Sequence, residues 1–376
     1  MGPVATYGDG IAAVGSQLSE EGGTTMVEQR LTLRCVADAV LTATVIGMVL
    51  FVAPGTGDAQ TVREVFRKVT PSVVVIRAER RDVTTGGQTS FTETGSGVLI
   101  SKDGKVMTAA HVVHAMDRIA VQFLGGETVG ARVLASEPAA DLSLLQLDRV
   151  PPGALVAPMA DSNTVQVGDE VIIVGAPYGL SYSLSVGYIS ARWAPNTVYR
   201  TMPLAEFFQT DATINTGNSG GPMFTMAGEV IGIVSHNISK GGGSEGLGFV
   251  VTMNTARQLL LEKKSFWSGL EGLLLSDRAA DLLNLPPRAS GFIVKTVAKD
   301  SPGDQIGLRG STMLVPIAGQ EVPLGGDIIL TVNGISMSAA NMARIRDGLS
   351  RLPPGGEFKV TILRAGQVLE LTGHMP

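Results

Sequence analysis

The 376-residue chain is 44% hydrophobic and 17% charged, with 47 glycines, which excludes a disordered or fibrous protein and favours short strands joined by tight turns. A net charge of −5, with no local run of lysine or arginine, excludes a nucleic-acid backbone as partner. A single cysteine, Cys35, excludes an internal disulfide and a thiolate metal site, and histidines at 111, 114, 236 and 374 lack the paired spacing of zinc ligands, so neither metal nor cofactor is expected.

At this length two or three domains are expected. Residues 1–59 read as an N-terminal extension. Within it an apolar run, residues 36–53, follows Arg30 and Arg34 and ends near Gly57 and Ala59, the small-x-small pattern of a signal peptidase site. Two readings stay open: a cleaved signal peptide, or an uncleaved membrane anchor, since a run of about 18 residues is near the lower limit for spanning a bilayer. Met26 opens a segment with signal-peptide proportions, so it is a candidate for the true start.

From residue 61 the pattern changes to short apolar or alternating runs ("SVVVIRAE", "GSGVLIS", "IAVQFL", "LSLLQL", "EVIIVGA", "EVIGIVS", "LGFVV") with turn residues between them. Many short strands at such spacing predict a barrel or sandwich. "MNTARQLLLEKK", residues 253–264, is the first clear helix, with Asn254 as candidate cap, and closes a domain over 60–262. Residues 263–268 read as a linker. Beyond it, strands "GFIVKTV" and "DIILTVN", a helix over 338–352 and a final hairpin turning at Ala365 and Gly366 make a small α+β domain over 269–376. The fold class is therefore mainly β, followed by a smaller α+β module.

The stretch "TGNSGGPMF", residues 216–224, places Ser219 between Asn218 and two glycines. A serine hydroxyl becomes a nucleophile only when a base takes its proton and donors stabilise the oxyanion it creates. Gly217, Gly220 and Gly221 permit a turn in which the N–H groups of Gly217 and Ser219 form an oxyanion hole. His111 ends the strand-like "TAAH", a candidate general acid and base. Asp141 opens the apolar run "DLSLL", a costly place for a carboxylate without a partner and thus a candidate orienter of His111. The chain order His, Asp, Ser is that of chymotrypsin-like enzymes.

"TAAH", "DLSLL" and "GNSGGP", with "VTPSVVVI", "GSGVLIS", "GAPYGLSYSLSVGYIS" and "TDATINTGNSGGP", resemble the HtrA/Deg family of chymotrypsin-like serine proteases across most of residues 61–262. The resemblance implies two six-stranded β-barrels with the triad between them, and ATP-independent cleavage of unfolded or misassembled proteins in the periplasm or cell envelope. It also implies assembly as a homo-oligomer, commonly a trimer. Departures are informative: "TAAH" and "GIVSHN" are similar to the digestive enzymes rather than to HtrA "TNNH" and "GINTA". By that likeness Ser235 can bond Asp141 and pair with the substrate backbone, and His236 lies at the pocket wall. Thr213, at the implied pocket base, carries no charge. Asn218 replaces the aspartate that a cut N-terminus neutralises in digestive enzymes.

The C-terminal stretch "LGGDIILTVNGISM" resembles a PDZ module, which implies binding of C-terminal peptides as an added strand. The matching carboxylate loop gives Leu270, Glu271, Gly272 and Leu273, and the opposing helix gives Met342 and Ile345, which serve either the groove or the core. "GGGSEG", residues 241–246, fits a dinucleotide pattern only in its glycines, because it leads into a strand; the surrounding "SKGGGSEG" is either a regulatory loop or a plain hairpin. His114 reads as structural and His374 as solvated. The function expected is an exported serine endopeptidase of protein quality control, regulated by PDZ peptide binding. The alternative is a peptide-binding holdase or adaptor whose protease site is held inactive.

Overall fold

The computed structural model describes residues 60–84, 87–176, 182–239, 241, 243–275, 290–317 and 320–375. Residues 60–376 form one compact unit. Cys35, Met26 and the apolar run 36–53, read as signal peptide or anchor, lie outside the described residues. Among the described residues no helix is long and apolar enough to cross a membrane.

Strands β1 (Val73–Thr84), β2 (Gly87–Leu99), β3 (Lys105–Thr108), β4 (Arg118–Gln122), β5 (Thr128–Glu137) and β6 (Leu142–Leu147) close into a barrel in the order β1-β2-β3-β6-β5-β4. Strands β7 (Glu170–Gly175), β8 (Ser183–Trp193), β9 (Phe207–Thr210), β10 (Pro222–Thr225), β11 (Val230–Asn237) and β12 (Gly248–Thr252) close a second one in the order β7-β8-β9-β12-β11-β10. The second ring repeats the connectivity of the first, so the fold is a chymotrypsin-like double barrel. Closure leaves neither ring with an unpaired edge.

The apolar runs that announced strands are continuous because these strands are buried on both faces. Ile172 and Val174 pack in a cluster between the barrels, whereas their neighbours Val171 and Ile173 fill the interior of the second barrel. Val98 and Leu99 divide in the same way between the interface and the first barrel. Phe207 and Phe208, each fully buried, point to opposite sides of β9. Truncating either to alanine removes about 3–5 kcal/mol of stability.

A helix absent from the sequence reading, α1 (Val62–Val69), precedes the first strand. Thr61 and Glu64 form a reciprocal capping box, and Val65 and Val69, one turn apart, enter the inter-barrel cluster. The "TVRE" signature was visible, but eight residues are too few for a periodic pattern. The helix expected over 253–264 is present as α3 (Met253–Ala256) continuing as a π-helix over Arg257–Glu262; α2 (Ala110–Val113) carries His111.

The C-terminal part is a sheet of β13 (Leu270–Leu274), β14 (Phe292–Val297), β17 (Ile328–Val332), β19 (Glu357–Arg364) and β20 (Gln367–His374), in the order β13-β14-β17-β19-β20. The short β18 (Ile335–Ser336) pairs with β17, and a separate hairpin is formed by β15 (Met313–Ile317) and β16 (Gln320–Leu324). Helices α4 (Pro302–Gln305) and α5 (Met342–Ser350) complete it. The arrangement is consistent with a PDZ module. Ala365 and Gly366 both adopt positive φ, 48° and 80°, as the tight β19–β20 hairpin requires. The segment expected as a linker is packed: Ser136 N–H donates to Ser265 O at 3.3 Å, and Trp267 Nε1–H donates to His114 O at 2.7 Å.

Candidate active site

His111 sits in the first turn of α2, immediately after β3. Val112 and Val113 anchor this short helix in the first barrel, which leaves His111 on its outer face. Asp141 ends the 3-10 turn Pro138–Ala140 in a left-handed conformation, φ 54° and ψ 44°, which aspartate tolerates better than most residues. That turn swings its carboxylate onto α2. His111 Nδ1–H donates to Asp141 Oδ1 and Oδ2, both at 2.9 Å, and the His111 backbone N–H donates to Oδ1 at 3.0 Å. Ser235 Oγ–H donates to Oδ2. Asp141 is thus a buried carboxylate surrounded by donors.

These contacts set the charges. Burial pushes the Asp141 carboxyl upward, but the His111 charge and the donors of His111 and Ser235 outweigh it, so the group stays below the ordinary aspartate range. For His111, burial by the cleft walls opposes protonation, although 45% of its side chain is exposed to the cleft. The Asp141 charge and hydrogen bond, helped by Glu93, overcome that and hold the imidazole above its ordinary range.

Ser219 lies on the turn before β10. The turn is tied down by Asn218 N–H to Asn215 O at 3.0 Å, Gly220 N–H to Val234 O at 2.7 Å and Gly221 N–H to Asn218 O at 2.9 Å. Ser96 braces it from the other barrel, its N–H donating to Ser219 O at 2.8 Å and its hydroxyl to Gly217 O at 2.7 Å. Sequence reasoning missed Ser96, although its position between Gly95 and Gly97 marks a close backbone approach. Gly217 and Gly220 have φ of 100° and 80°, which disfavour any side chain. A Cβ on Gly220 would also collide with Thr108 Oγ1 and the Ser96 carbonyl, and would lie 2.7 Å from Ala109 N. The N–H groups of Gly217 and Ser219 donate to no described protein group.

His111, Gly217, Ser219, Ser235 and His236 line one cavity of about 330 Å³, with Ile214, Asn215 and Glu93. Ser219 Oγ–H donates to Ser235 O at 3.2 Å, and no hydrogen bond to His111 is formed. Thr213, expected at the pocket base, is exposed and does not line this cavity. In the loop after β9, Ala212 and Ile214 turn inward and Thr213 outward; Ile214, 2% exposed, supplies an apolar wall instead. Asn218 is buried with Nδ2 3.4 Å from Thr213 O and Oδ1 unpartnered, so an aspartate there would bury an unpaired charge. The "SKGGGSEG" loop joins β11 to β12, and Ser244 N–H reaches Asn215 Oδ1 at 3.1 Å.

A second cavity of about 800 Å³ is lined by Leu270, Glu271, Gly272, Met342 and Ile345 on one side and by His111 and Asp141 on another. Ile345 serves the core as well. Leu273 is 38% exposed and stands apart from the cavity, because alternation along β13 turns it away from the face on which Leu270 and Leu274 pack inward. The Glu271 carboxylate pairs with Arg80 and, at 3.3 Å, with Lys295. Those cations neutralise the charge that a peptide carboxylate would otherwise meet. His114 joins the two modules: Nε2–H donates to Leu270 O at 3.1 Å and Nδ1 accepts from Ser136 Oγ at 2.7 Å. Burial pushes its pKa down to about 4. His374 is exposed.

A family model described as a trypsin-like peptidase domain matches residues 95–233, the span from the Ser96 brace to β11. A probable periplasmic serine endoprotease, DegP-like, of Hahella chejuensis is 33% identical over 298 residues, 75% of this chain and 57% of that protein. The periplasmic pH-dependent serine endoprotease DegQ of Escherichia coli is 32% identical over 288 residues, 75% of this chain and 59% of that protein. This chain belongs to the HtrA/Deg family of serine proteases. A substituted form of the HtrA-type protease AlgW, solved with a decapeptide, superposes with a TM-score of 0.51 at 27% identity, covering 84% of this chain and 96% of that one. The chain spans somewhat over half the length of these curated HtrA/Deg relatives.

Proposed function

We propose that this chain is an exported, ATP-independent serine endopeptidase that degrades unfolded or misassembled proteins in the periplasm. The observation that carries the reading is the Asp141 carboxylate, which bonds His111 through both Nδ1 and the backbone N–H beside the Ser219 cavity. Fixing Nδ1–H leaves Nε2 as the free base of the imidazole. In this reading Ser219 Oγ attacks the peptide carbonyl while His111 Nε2 takes its proton, and the imidazolium returns that proton to the leaving amine. The unoccupied N–H groups of Gly217 and Ser219 receive the oxyanion, each worth about 3 kcal/mol.

Ser219 donates to Ser235 O before substrate arrives. A substrate backbone N–H that claims that carbonyl frees the hydroxyl to turn toward His111. Ile214 supports a preference for uncharged, aliphatic side chains in the cavity. C-terminal peptides would add to β13, the edge strand of its sheet, against α5 and so regulate the site. A homotrimer belongs to the same reading, and N-terminal sequencing of the mature protein decides between a cleaved and an anchored 36–53 segment.

The second reading, a holdase, is favoured by one observation, the Ser219 hydroxyl turned to Ser235 rather than to His111. A fluorophosphonate probe followed by peptide mass mapping separates the two. Covalent label on Ser219, lost in D141N, supports the protease; an unlabelled Ser219 with retained peptide binding supports the holdase.

A further inference from the structure

His236 follows Ser235 on β11, and aromatic side chains enclose its ring. It stacks on Phe249 with centroids 5.5 Å apart and planes 16° apart. It meets Tyr199 edge-on at 4.1 Å and Phe207 at 5.7 Å. Its Nδ1 lies 2.9 Å from Ser235 Oγ.

The protons on these groups follow from donor counting. Ser235 Oγ carries one proton, and the ionised Asp141 carboxylate beside it can only accept, so that proton is committed to Asp141. At the remaining contact the hydroxyl must accept and the ring must donate. His236 is therefore the Nδ1–H tautomer, and its Nε2 remains a lone pair, buried without a partner. The ring is neutral near pH 7: burial lowers its pKa to about 4, Asp141 opposing and His111 assisting. The other ionisable groups around it are Tyr199 in the aromatic enclosure and Glu93 across the Ser219 cavity.

We propose that His236 is a positioning residue of the Ser219 site, its Nδ1–H holding the Ser235 hydroxyl in the one rotamer that donates to Asp141. The chain of donors runs from His236 to Ser235 to Asp141 Oδ2, an oxygen that also accepts from His111 Nδ1. Ser235 is the hub, because its carbonyl also holds the Ser219 hydroxyl. Without the ring donor the Ser235 hydroxyl is free to rotate, Asp141 loses one of its donors, and the charge facing His111 is less dispersed. This rests on the protease reading above.

The test uses the full-length protein. His236→Phe keeps an aromatic ring in the enclosure and removes the donor; His236→Asn restores a donor close to the Nδ1 position. The proposal expects kcat of H236F to fall about five- to tenfold with KM within twofold, and the acidic limb of its pH profile to move upward. H236N should recover most of kcat. In S235A, adding H236F should cost little more, because the pair acts through one hydroxyl. Nitrogen NMR of the S219A protein should find His236 protonated at Nδ1. Protonation at Nε2, or H236F with unaltered kcat and pH profile whatever its melting temperature, overturns the proposal. A wild type that neither cleaves protein nor takes up fluorophosphonate sinks the protease reading and this proposal together, whereas a cleaving wild type with an unaltered H236F sinks this proposal alone.

Discussion

At the scale of single residues the site is an arrangement of donors around one buried carboxylate. His111 is held above its ordinary pKa by Asp141 and Glu93, and the proposed mechanism needs it neutral. The acidic limb of kcat/KM is therefore expected above pH 6.5, the ordinary histidine value, and E93Q should move it down. A pH-rate profile of a peptide substrate checks this; a limb below pH 6 would contradict the assignment. The grouping of His111, Asp141 and Ser219 is legible because the chemistry expected of them needs rare residue types in a fixed order, and the structure brings the three to one cleft. Thr213 is the opposite case: residues 212–214 lie in the loop after β9, and the loop conformation that buries Ile214 and exposes Thr213 is not displayed in the sequence. Ser96 acts through backbone groups that sequence does not display.

At the scale of elements, the 3-10 turn that ends at Asp141 is gripped from both modules. Glu137, buried at 4% exposure, accepts from Ala139 N–H in that turn at 3.3 Å and from Ser265 Oγ at 3.3 Å. Its other partner is Arg346 on α5, 3.5 Å away. Burial raises the Glu137 carboxyl, and Arg346 is the largest influence restoring its charge. Helix α5 is thus two contacts, Arg346–Glu137 and Glu137–Ala139, from the turn that ends at Asp141. R346A should leave a buried, unpaired carboxylate, cost about 2–4 kcal/mol of stability, and blunt any change in kcat that a C-terminal peptide produces. E137Q/R346M, which removes both charges, should regain most of the stability but not the peptide response. Calorimetry and peptide-titrated hydrolysis measure the two effects; an undiminished peptide response in both variants excludes this route. Barrel strands were readable from their apolar runs, and the β19–β20 turn from "RAGQ". Helix α1 and the hairpin of β15 and β16 were not, the first for its brevity and the second because Pro316 and Pro323 argue against strands.

For the whole molecule, acid is the expected weakness. His114 and His236 are buried neutral, each with a pKa of about 4 in place of 6.5. Their stabilising contribution is complete above pH 6.5 and is lost as pH falls toward 4, because the unfolded chain takes up protons that the folded chain refuses. Asp141, lowered in the fold, adds a further loss below its ordinary value of 3.8. His111 runs the other way, contributing below pH 6.5 and losing that contribution as pH rises through its folded pKa. Urea unfolding should therefore show stability falling by roughly 2–5 kcal/mol between pH 7 and 4.5. H114Q, which keeps a donor for the Leu270 carbonyl, should reduce the slope by about one proton.

The central claim is that Ser219, His111 and Asp141 form a working nucleophilic site. The most direct measurement is hydrolysis of reduced casein, without ATP, by the wild-type protein beside Ser219→Ala. We expect fragments from wild type and, from S219A, a loss of rate of about 10³-fold or more. Equal cleavage by both proteins, or none by wild type even with hydrophobic C-terminal peptides added, would contradict it.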